Sequence, residues 1–356
     1  MFDDQKIIRY ILQQFYKNKK ILITGSSGFV GSWLAVTLQQ MGANVYGISL
    51  EPNTSPSIFK LLSLEEKIKQ KYINICDYKK LSLAINEISP NIVFHLAAQP
   101  LVRESYIKTI DTFQTNVIGT LNVLESCKAL DTNINLICIT TDKCYENNEH
   151  GNRFIESDPM GGKDPYSASK ACTEILTKSH ALSFNNLKLC TARAGNILGG
   201  GDWAKDRIIT DIVESIQKKK DIVIRSPMAI RPWQHVIDVV NGYLKLGIYN
   251  QEKEEVFESF NFGPIEENEI TVEMLTQKFI SNWKYCNSKI VLDDNENLPE
   301  SKILRLDSTK AKKILNWEPL LDIDNTIKET ALWYEKFYSE KDIYDFTIMQ
   351  INKYLN

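Results

Sequence analysis

The sequence predicts an α/β protein built on a doubly wound parallel sheet, followed by a smaller, mostly helical C-terminal part. Short apolar segments alternate with amphipathic helical segments from residue 20 to about residue 195. The apolar segments lack the in–out alternation of half-exposed strands, which is typical of parallel strands covered by helices on both faces. The first apolar segment also runs into a glycine-rich turn that opens a helix.

The elements follow one another in a regular order. Apolar residues at helical spacing predict an amphipathic helix over residues 4–17, ahead of the main fold. The predicted strands are 20–24, 44–48, 73–75, 92–96, 136–140 and 187–192. The predicted helices between them are 30–41, 78–88, 112–130 and 166–184. After residue 195, loops rich in Gly, Asp and Pro interrupt short helices, and the alternation is lost.

Composition narrows the class of protein. With 356 residues, 43% of them hydrophobic, the chain can bury a sizeable core. A net charge of −3 gives no reason to propose nucleic acid or a membrane surface as a partner. Seven cysteines form no C-x-x-C pair, and Asp3 and Asp4 stand where a secretory signal would carry basic residues. These features predict a cytoplasmic protein with reduced thiols.

Thr24 to Gly31 follow a predicted strand and open a predicted helix. Glycines there let the backbone turn sharply and approach a pyrophosphate, whose charge rests on the helix N-terminus. The spacing is G-x-x-G-x-x-G, and glycines alone would mark any turn, but the flanking strand and helix favour a dinucleotide site. Glu51 lies where an acid would bind the adenosine ribose of NAD, although it could equally be a solvated loop residue.

The glycine turn makes the predicted sheet Rossmann-like. The chain is predicted to consist of three parts. Residues 1–18 form a helical extension, residues 19–195 an NAD-binding domain, and residues 196–356 a substrate-binding domain. A segment near 236–263 is a candidate to return to the first domain. NAD is favoured over NADP because residues 46–58 contain no Lys or Arg to meet a 2′-phosphate.

Tyr166 and Lys170 lie one helical turn apart on the same face of a predicted helix. A phenol with a pKa of about 10 is a poor base at neutral pH, and an adjacent ammonium would lower that pKa. A decrease of about three pH units corresponds to roughly 4 kcal/mol. Such a tyrosine can take a proton from a hydroxyl while hydride leaves the same carbon. The same spacing also occurs in surface pairs, but its position after a nucleotide fold favours catalysis.

Thr141, Asp142 and Lys143 end the strand that precedes this helix. The carboxyl ends of strands face the ligand crevice of a doubly wound sheet, so Thr141 can hydrogen-bond a substrate hydroxyl near Tyr166. Asp142 and Lys143 offer an acid and a base side by side. The alternative is a turn with a surface salt bridge, which the strand-end position disfavours.

Together with His95 to Pro100, these patterns resemble the extended short-chain dehydrogenase family of nucleotide-sugar enzymes, over residues 19–337. Residues 141–146, 192–203 and 231–235 are similar to the CDP-glucose 4,6-dehydratases of that family. Lys143 stands where many relatives carry glutamate, and it also occurs in UDP-N-acetylglucosamine inverting dehydratases. Two positions depart from the pattern: Asn74 replaces an adenine-contacting aspartate, and Val30 replaces a lysine.

The resemblance implies the residues of the site. Catalysis would fall to Thr141, Asp142, Lys143, Tyr166 and Lys170. Besides Tyr166 and Lys170, the residues implied to contact NAD are Gly25, Ser27, Gly28, Phe29, Val30, Gly31, Asn74, Ile75, Leu96, Ala97, Ala98, Gln99, Asn116 and Thr140. Those implied to contact a nucleotide-diphosphate sugar are Arg103, Asn196, Asp202, Trp203, Arg207, Arg231 and His235. No metal site is predicted.

The implied reaction is a 4,6-dehydration. Tyr166 would take the O4 proton as hydride leaves C4, Lys143 would take the C5 proton, and Asp142 would protonate the departing C6 hydroxyl. The roles of Asp142 and Lys143 could be exchanged. Three alternatives stay open: a dehydratase of a UDP- or GDP-linked sugar, a nucleotide-sugar 4-epimerase, which would not need Asp142 and Lys143, and a dinucleotide-binding regulatory protein without activity.

The helices 112–130 and 166–184 resemble the pair that forms the dimer interface in this family. The resemblance therefore predicts a homodimer. The alternative is that these helices only pack on the sheet.

Overall fold

A computed structural model describes residues 2–264, 269–293, 301–340 and 342–355. The strands of this described part are β1 (Lys20–Thr24), β2 (Asn44–Ser49), β3 (Lys69–Tyr72), β4 (Ile92–His95), β5 (Ile134–Thr141), β6 (Leu187–Ala194), β7 (Asn196–Leu198), β8 (Ile222–Ile224), β9 (Trp233–His235), β10 (Phe257–Phe262) and β11 (Ile290–Leu292). Its helices are α1 (Phe2–Tyr16), α2 (Phe29–Gln40), α3 (Ile58–Leu61), α4 (Leu64–Lys67), α5 (Tyr78–Ile88), α6 (Val102–Ile107), α7 (Thr109–Phe113), α8 (Gly119–Lys128), α9 (Pro165–Ser183), α10 (Ile208–Gln217), α11 (Val236–Glu252), α12 (Val272–Ser281), α13 (Thr309–Leu315), α14 (Ile323–Glu340) and α15 (Tyr344–Leu355). A π-helical turn (Gln114–Ile118) joins α7 to α8, and a 3-10 turn (Asp142–Cys144) follows β5.

Seven strands form one sheet in the order β10-β6-β5-β4-β1-β2-β3, and every neighbouring pair is parallel. The order reverses at β1, which lies between β2 and β4. At such a switch point the carboxyl ends of the strands open onto a ligand crevice. The predicted doubly wound parallel sheet is therefore confirmed.

The apolar strands are buried on both faces. Ile21 and Ile23 in β1 pack into one core cluster with Trp33 of α2, whereas Leu22 packs into a second cluster with Leu124 of α8. Because successive side chains of a strand point to opposite faces, helices must cover both sides of the sheet. This arrangement explains why the sequence shows continuous apolar runs there.

Two predicted elements differ from the structure. The strand predicted at 73–75 is wrong, because the chain pairs with β2 through Lys69–Tyr72 instead. This edge strand has one neighbour, so its polar sequence carries no apolar signal. The helix predicted over 112–130 starts at residue 109 and contains the π-helical turn.

The part after β6 contains helices and two short two-stranded sheets, β7–β9 and β8–β11. Helix α11 packs against β5 and β6, and β10 pairs with β6 at the edge of the main sheet. The chain thus leaves the main sheet after β6 and comes back to it. Helix α1 lies against α11, where the Tyr16 hydroxyl donates to the Leu244 carbonyl at 2.7 Å. Among the described residues, none of the helices combines the length and the apolar character needed to cross a bilayer.

Candidate active site

The glycine turn between β1 and α2 is tightly packed. Gly25 has a φ of +77°, and a Cβ there would lie 2.7 Å from the Ala97 nitrogen. A Cβ on Gly31 would lie 2.1 Å from the Gly25 carbonyl oxygen, so α2 approaches the turn closely only because this residue is glycine. Gly28 precedes α2, and no side chain of the described residues caps it. The first-turn N–H groups of α2 can therefore receive a pyrophosphate, and the turn fits a dinucleotide.

The buried His95 side chain stabilises this turn through hydrogen bonds. Its Nδ1 lies 2.6 Å from the Thr24 hydroxyl, and its Nε2 lies 2.9 Å from the Thr120 hydroxyl. The Ala97 N–H donates to the same Thr24 oxygen at 3.3 Å. Burial, together with the charge of Lys170, lowers the pKa of His95 to about 3. The imidazole is therefore neutral at physiological pH and connects β1, β4 and α8.

Asn116 lies in the π-helical turn and is almost fully buried. Its Oδ1 accepts from the Gln99 N–H at 2.8 Å, and its Nδ2 donates to the Gln99 carbonyl at 3.1 Å and to the Ser169 hydroxyl at 2.8 Å. The side chain thus connects the loop after β4 to α9. This geometry favours a role in holding Gln99 over the implied direct contact with NAD.

The other residues implied to contact NAD lie around the same crevice or beside it. The half-buried residues Leu96, Ala97, Ala98 and Gln99 follow β4, and the Ser27 hydroxyl donates to the Leu50 carbonyl at 2.8 Å. Asn74 is exposed, and its Oδ1 accepts from the Cys76 N–H at 2.9 Å. Ile75 packs closely on Gly119 in the interior, which favours a structural role. Glu51 is exposed just beyond the end of β2.

Helix α9 brings the predicted phenol and ammonium to the crevice. The helix begins where the Asp164 carboxylate accepts from the Ser167 N–H at 2.9 Å, with Pro165 in its first turn. Tyr166 and Lys170 are 8% and 6% exposed, respectively. The Tyr166 N–H also donates to the Ser105 hydroxyl at 3.1 Å. The surface-pair interpretation is therefore wrong, since both side chains are buried.

The predicted depression of the Tyr166 pKa is not found in this structure. Burial raises the pKa of Tyr166 to about 12, and a hydrogen bond with Thr141 and the charge of Arg207 only partly oppose it. The Nζ of Lys170 donates to the Ile139 carbonyl at 3.0 Å. Burial in turn lowers the pKa of Lys170 to about 8. Further positive charge in the crevice is needed to form the phenolate at neutral pH.

The acid–base pair predicted at the end of β5 lies beside this phenol. Asp142 is 1% exposed, and its Oδ1 accepts from the Thr141 hydroxyl at 3.0 Å and from the Lys143 Nζ at 3.3 Å. The Lys143 Nζ also donates to the Asn196 Oδ1 at 3.4 Å. The Asp142 Oδ2 is buried and has no hydrogen-bond partner among the described residues. Thr141, Asp142, Lys143 and Tyr166 thus lie together at the carboxyl end of β5.

Several arginines surround the outer side of the crevice. Arg207 precedes α10, and its charge lowers the pKa values of Tyr166 and of Asp202, which burial raises. The Arg103 guanidinium of α6 lies 3.6 Å from the Asp206 carboxylate, which also pairs with Arg225 at 2.7 Å. Asp206 and Asp211 partly neutralise these guanidinium groups, which remain potential donors to an anionic ligand.

Arg231 lies beside two further arginines, Arg153 and Arg305, which the sequence patterns did not indicate. A small cavity of about 40 Å³ is lined by Arg153, Arg231 and Arg305, together with Trp233. The Arg231 Nη1 donates to the Ile230 carbonyl at 3.0 Å. Arg153 and Arg305 stand in none of the quoted motifs and come from distant parts of the sequence, so no local pattern could have indicated them.

Two residues implied to contact the substrate belong to the protein interior. His235 is fully buried, its Nδ1 accepts from the Ile237 N–H at 3.2 Å, and burial lowers its pKa to about 4. It caps α11, which favours a structural role over the implied contact with the substrate. Trp203 packs edge-on against Trp333, Tyr334 and Phe337, which favours a structural role for it as well.

The sequence of this protein has many known relatives. The profile of the family described as GDP-mannose 4,6 dehydratase matches residues 22–330. The CDP-glucose 4,6-dehydratase of Salmonella typhimurium is 39% identical over 355 residues, covering 97% of this chain and 98% of that protein.

Two solved structures share the fold. The UDP-glucose 4-epimerase of Thermotoga maritima, solved with UDP-glucose, has a TM-score of 0.78 at 24% identity, covering 90% of this chain and 100% of that one. The dTDP-glucose 4,6-dehydratase of Bacillus anthracis, solved with NAD, has a TM-score of 0.76 at 23% identity, covering 91% and 98%. With the profile match over most of its length, the chain belongs to the GDP-mannose 4,6 dehydratase family.

Proposed function

We propose that this protein is an NAD-dependent lyase that converts CDP-glucose to CDP-4-keto-6-deoxyglucose. One observation carries the proposal: a buried phenol shares a crevice with a carboxyl and an amine that contact each other. An epimerase needs the phenol, but its reaction neither removes the C5 proton nor protonates the C6 hydroxyl. The 39% identity to the Salmonella CDP-glucose 4,6-dehydratase supports the nucleotide and the sugar.

The first step is oxidation at C4. Tyr166 takes the O4 proton, and Thr141, whose hydroxyl hydrogen-bonds the phenol, holds the same sugar oxygen. Bound NAD⁺ would accept the C4 hydride, return it later to C6, and supply positive charge that favours the phenolate. The buried Lys170 ammonium adds to that charge from the next turn of α9.

The second step is loss of water. The C4 ketone acidifies the C5 proton, which passes to Lys143 as the C5–C6 double bond forms. Asp142 gives its proton to the C6 hydroxyl, which leaves as water. When hydride reaches C6, C5 regains a proton from Lys143, so the sugar ends with no net change in oxidation state. Tyr166 then releases the O4 proton and Asp142 takes one up from solvent, so the net change is the loss of one water. The Asp142 Oδ2, which lacks a partner among the described residues, is the oxygen that we assign to this proton transfer.

The diphosphate of the substrate requires cationic donors. Arg207 is one candidate, because its charge acts on both Tyr166 and Asp202. Arg103 from the first part of the chain and Arg231 from the second are further candidates. Planar guanidinium groups donate to two phosphate oxygens at once, which suits such a ligand.

The substrate is tested by incubating the purified protein with CDP-, UDP-, GDP- and dTDP-glucose, without added NAD, and measuring the mass of each product. We expect loss of one water from the CDP sugar alone. Water lost from another nucleotide sugar would reassign the nucleotide. An unchanged mass with inverted C4 stereochemistry would identify an epimerase, and no product from any sugar would leave only a binding function.

Replacement of Asp142 by Asn should separate oxidation from elimination. The amide can still accept a hydrogen bond from Lys143, but it cannot protonate the C6 hydroxyl. We expect water loss to slow about 10²- to 10⁴-fold while C4 oxidation persists, so reduced nicotinamide accumulates. The absorbance of reduced nicotinamide after CDP-glucose addition measures this, with the exposed Asp131→Asn variant as control. An equal slowing of C4 oxidation and of water loss would contradict the role of Asp142 as the acid at C6.

We propose that the protein acts as a homodimer in the cytoplasm. Exposed isoleucines at 107, 110, 118 and 175 and the exposed Leu182 lie on the neighbouring helices α6, α7, α9 and the π-helical turn. A second copy packing its own α7 and α9 on this face would bury them. The cytoplasm is supported by the seven cysteines, all within the described residues and all free.

Replacement of Ile110 by Glu should convert the dimer to a monomer, because the carboxylate would be buried at the interface without a partner. Sedimentation velocity measures the change in mass. The control is Leu83→Glu, which places the same charge at an exposed leucine of α5. A monomeric unmodified protein, or an unchanged Ile110→Glu dimer, would reject this interface.

A further inference from the structure

We propose that the buried Glu174–Arg193 ion pair positions residues 140–145, so that loosening it slows loss of water more than oxidation at C4. Glu174 lies outside the motifs that suggested the site, and Arg193 lies in the stretch 192–203 without having been assigned a role. The inference rests on the proposed function, because it concerns the two steps of that reaction. Glu174 and Arg193 act here as positioning residues, since neither faces the sugar.

Glu174 anchors the first end of this segment. It lies on α9 one turn beyond Lys170 and is 3% exposed. Its Oε1 accepts from the Thr140 hydroxyl, and its Oε2 accepts from the Thr191 hydroxyl at 2.8 Å and from the Arg193 Nη2 at 2.7 Å. One carboxylate therefore ties α9 to β5 and β6. A buried charge with this many donors is fixed in orientation.

Arg193 anchors the other end. Its Nη1 donates to the Tyr145 hydroxyl at 2.8 Å and to the Glu156 carbonyl at 3.0 Å. The guanidinium also lies over the Tyr145 ring, 5.0 Å from its centre. The Tyr145 hydroxyl in turn donates to the Asn261 Oδ1 at 2.6 Å. The Tyr145 side chain, which follows the 3-10 turn, is thus held by the Arg193 guanidinium and by Asn261 of β10.

The catalytic residues lie between these two anchors. Thr140 is held by Glu174 and Tyr145 by Arg193, and only four residues separate them. Asp142 and Lys143 therefore cannot shift toward or away from the sugar without breaking a contact of the ion pair. Proton transfer at C5 and C6 depends on such placement, because a misplacement of about 1 Å can cost as much as 10²-fold in rate.

Glu174 also acts on Lys170 through its charge. Burial lowers the pKa of Lys170, whereas Glu174 on the same helix, Cys138 on β5 and Cys144 in the 3-10 turn raise it. The neutral His95 on β4 faces the same ammonium. Removing the Glu174 charge should therefore let Lys170 lose its proton at a lower pH.

The test uses Tyr145→Phe in the full-length protein with its cofactor. This change removes the hydroxyl but keeps the ring, which stacks on Phe154 at 4.8 Å. CDP-glucose reports the whole reaction, and CDP-6-deoxyglucose, which has no C6 hydroxyl to lose, reports C4 oxidation alone. We expect elimination to slow about tenfold or more, with oxidation of the 6-deoxy sugar and the KM of CDP-glucose changed less than about twofold. The control is Tyr354→Phe, which removes a hydroxyl that donates to Glu329 at 2.7 Å on the C-terminal helix.

A second variant keeps the test decisive if Tyr145→Phe does not fold. Glu174→Gln preserves the shape of the side chain, and the alkaline limb of its kcat profile should move to lower pH than in the unmodified protein. The inference is overturned if the alkaline limb of Glu174→Gln does not move. It is also overturned if Tyr145→Phe carries out C4 oxidation and water loss at the rates of the unmodified protein. In both cases the proposed function stands. Absence of dehydration by the unmodified protein overturns both.

Discussion

Tyr166→Phe is expected to lose turnover while keeping its cofactor. The variant keeps the ring that packs at the start of α9 but has no group to take the O4 proton. General-base catalysis typically contributes about 10²- to 10⁴-fold, and oxidation at C4 precedes every later step, so the whole reaction should fall by that factor or more. Product mass from CDP-glucose measures turnover, and nicotinamide released on denaturation measures bound cofactor.

The matched control for this variant is Tyr78→Phe, which removes an exposed hydroxyl from α5. It should retain full activity and the same cofactor content. Turnover of Tyr166→Phe at a rate close to that of the control would remove the phenol from the proposed mechanism. Loss of the cofactor together with activity would instead point to a structural contribution of the hydroxyl.

Lys170→Met is expected to abolish activity and at the same time to stabilise the fold at neutral pH. Burial lowers the pKa of Lys170 from 10.5 to about 8, which corresponds to about 3 kcal/mol of destabilisation while the lysine is charged. Methionine has a similar length and no charge, but it loses the hydrogen bond to the Ile139 carbonyl, worth about 1 kcal/mol. Urea unfolding at pH 7 should therefore show a gain of about 2 kcal/mol in the free energy of unfolding.

The stabilisation expected for Lys170→Met depends on pH, because the pKa of Lys170 differs between the folded and the unfolded protein. Below pH 8 the lysine is charged in both the folded and the unfolded protein, and the full penalty applies. Between pH 8 and 10.5 the unfolded chain binds a proton that the folded protein has lost, so the unmodified protein gains stability as pH rises. The advantage of Lys170→Met should shrink across this window. The exposed Lys79→Met variant is the control, and a constant difference between pH 7 and 10 would contradict the prediction.

The interior of the sheet could be predicted from the sequence, whereas its edge could not. Strands β1, β4 and β5 have helices on both faces, so their apolar runs are continuous and easy to recognise. Strand β3 has the sequence Lys-Gln-Lys-Tyr and forms because β2 offers it hydrogen bonds, not because it buries apolar surface. Pairing of this kind leaves no periodic signal.

The grouping of the proposed reacting residues could also be predicted, because Thr141, Asp142, Lys143 and Tyr166 stand at strand and helix ends that the topology brings together. Their surroundings could not. The contacts of Glu174 with Arg193 and of Arg153 with the cavity beside Arg231 join positions far apart in sequence. His235 shows the reverse case, because this residue of a family motif lies buried as a helix cap, which favours a structural role.

The return of β10 to the main sheet has a consequence for dissecting the protein. A gene fragment ending at residue 195 would encode all the residues proposed to react, yet its product would lack both α11 and β10. Strand β6 would then present a row of unpaired N–H and C=O groups, and the apolar face beneath α11 would meet water. Such a fragment would aggregate, so the nucleotide-binding half cannot serve as a stand-alone module, and insertions are better placed in surface loops than at this junction.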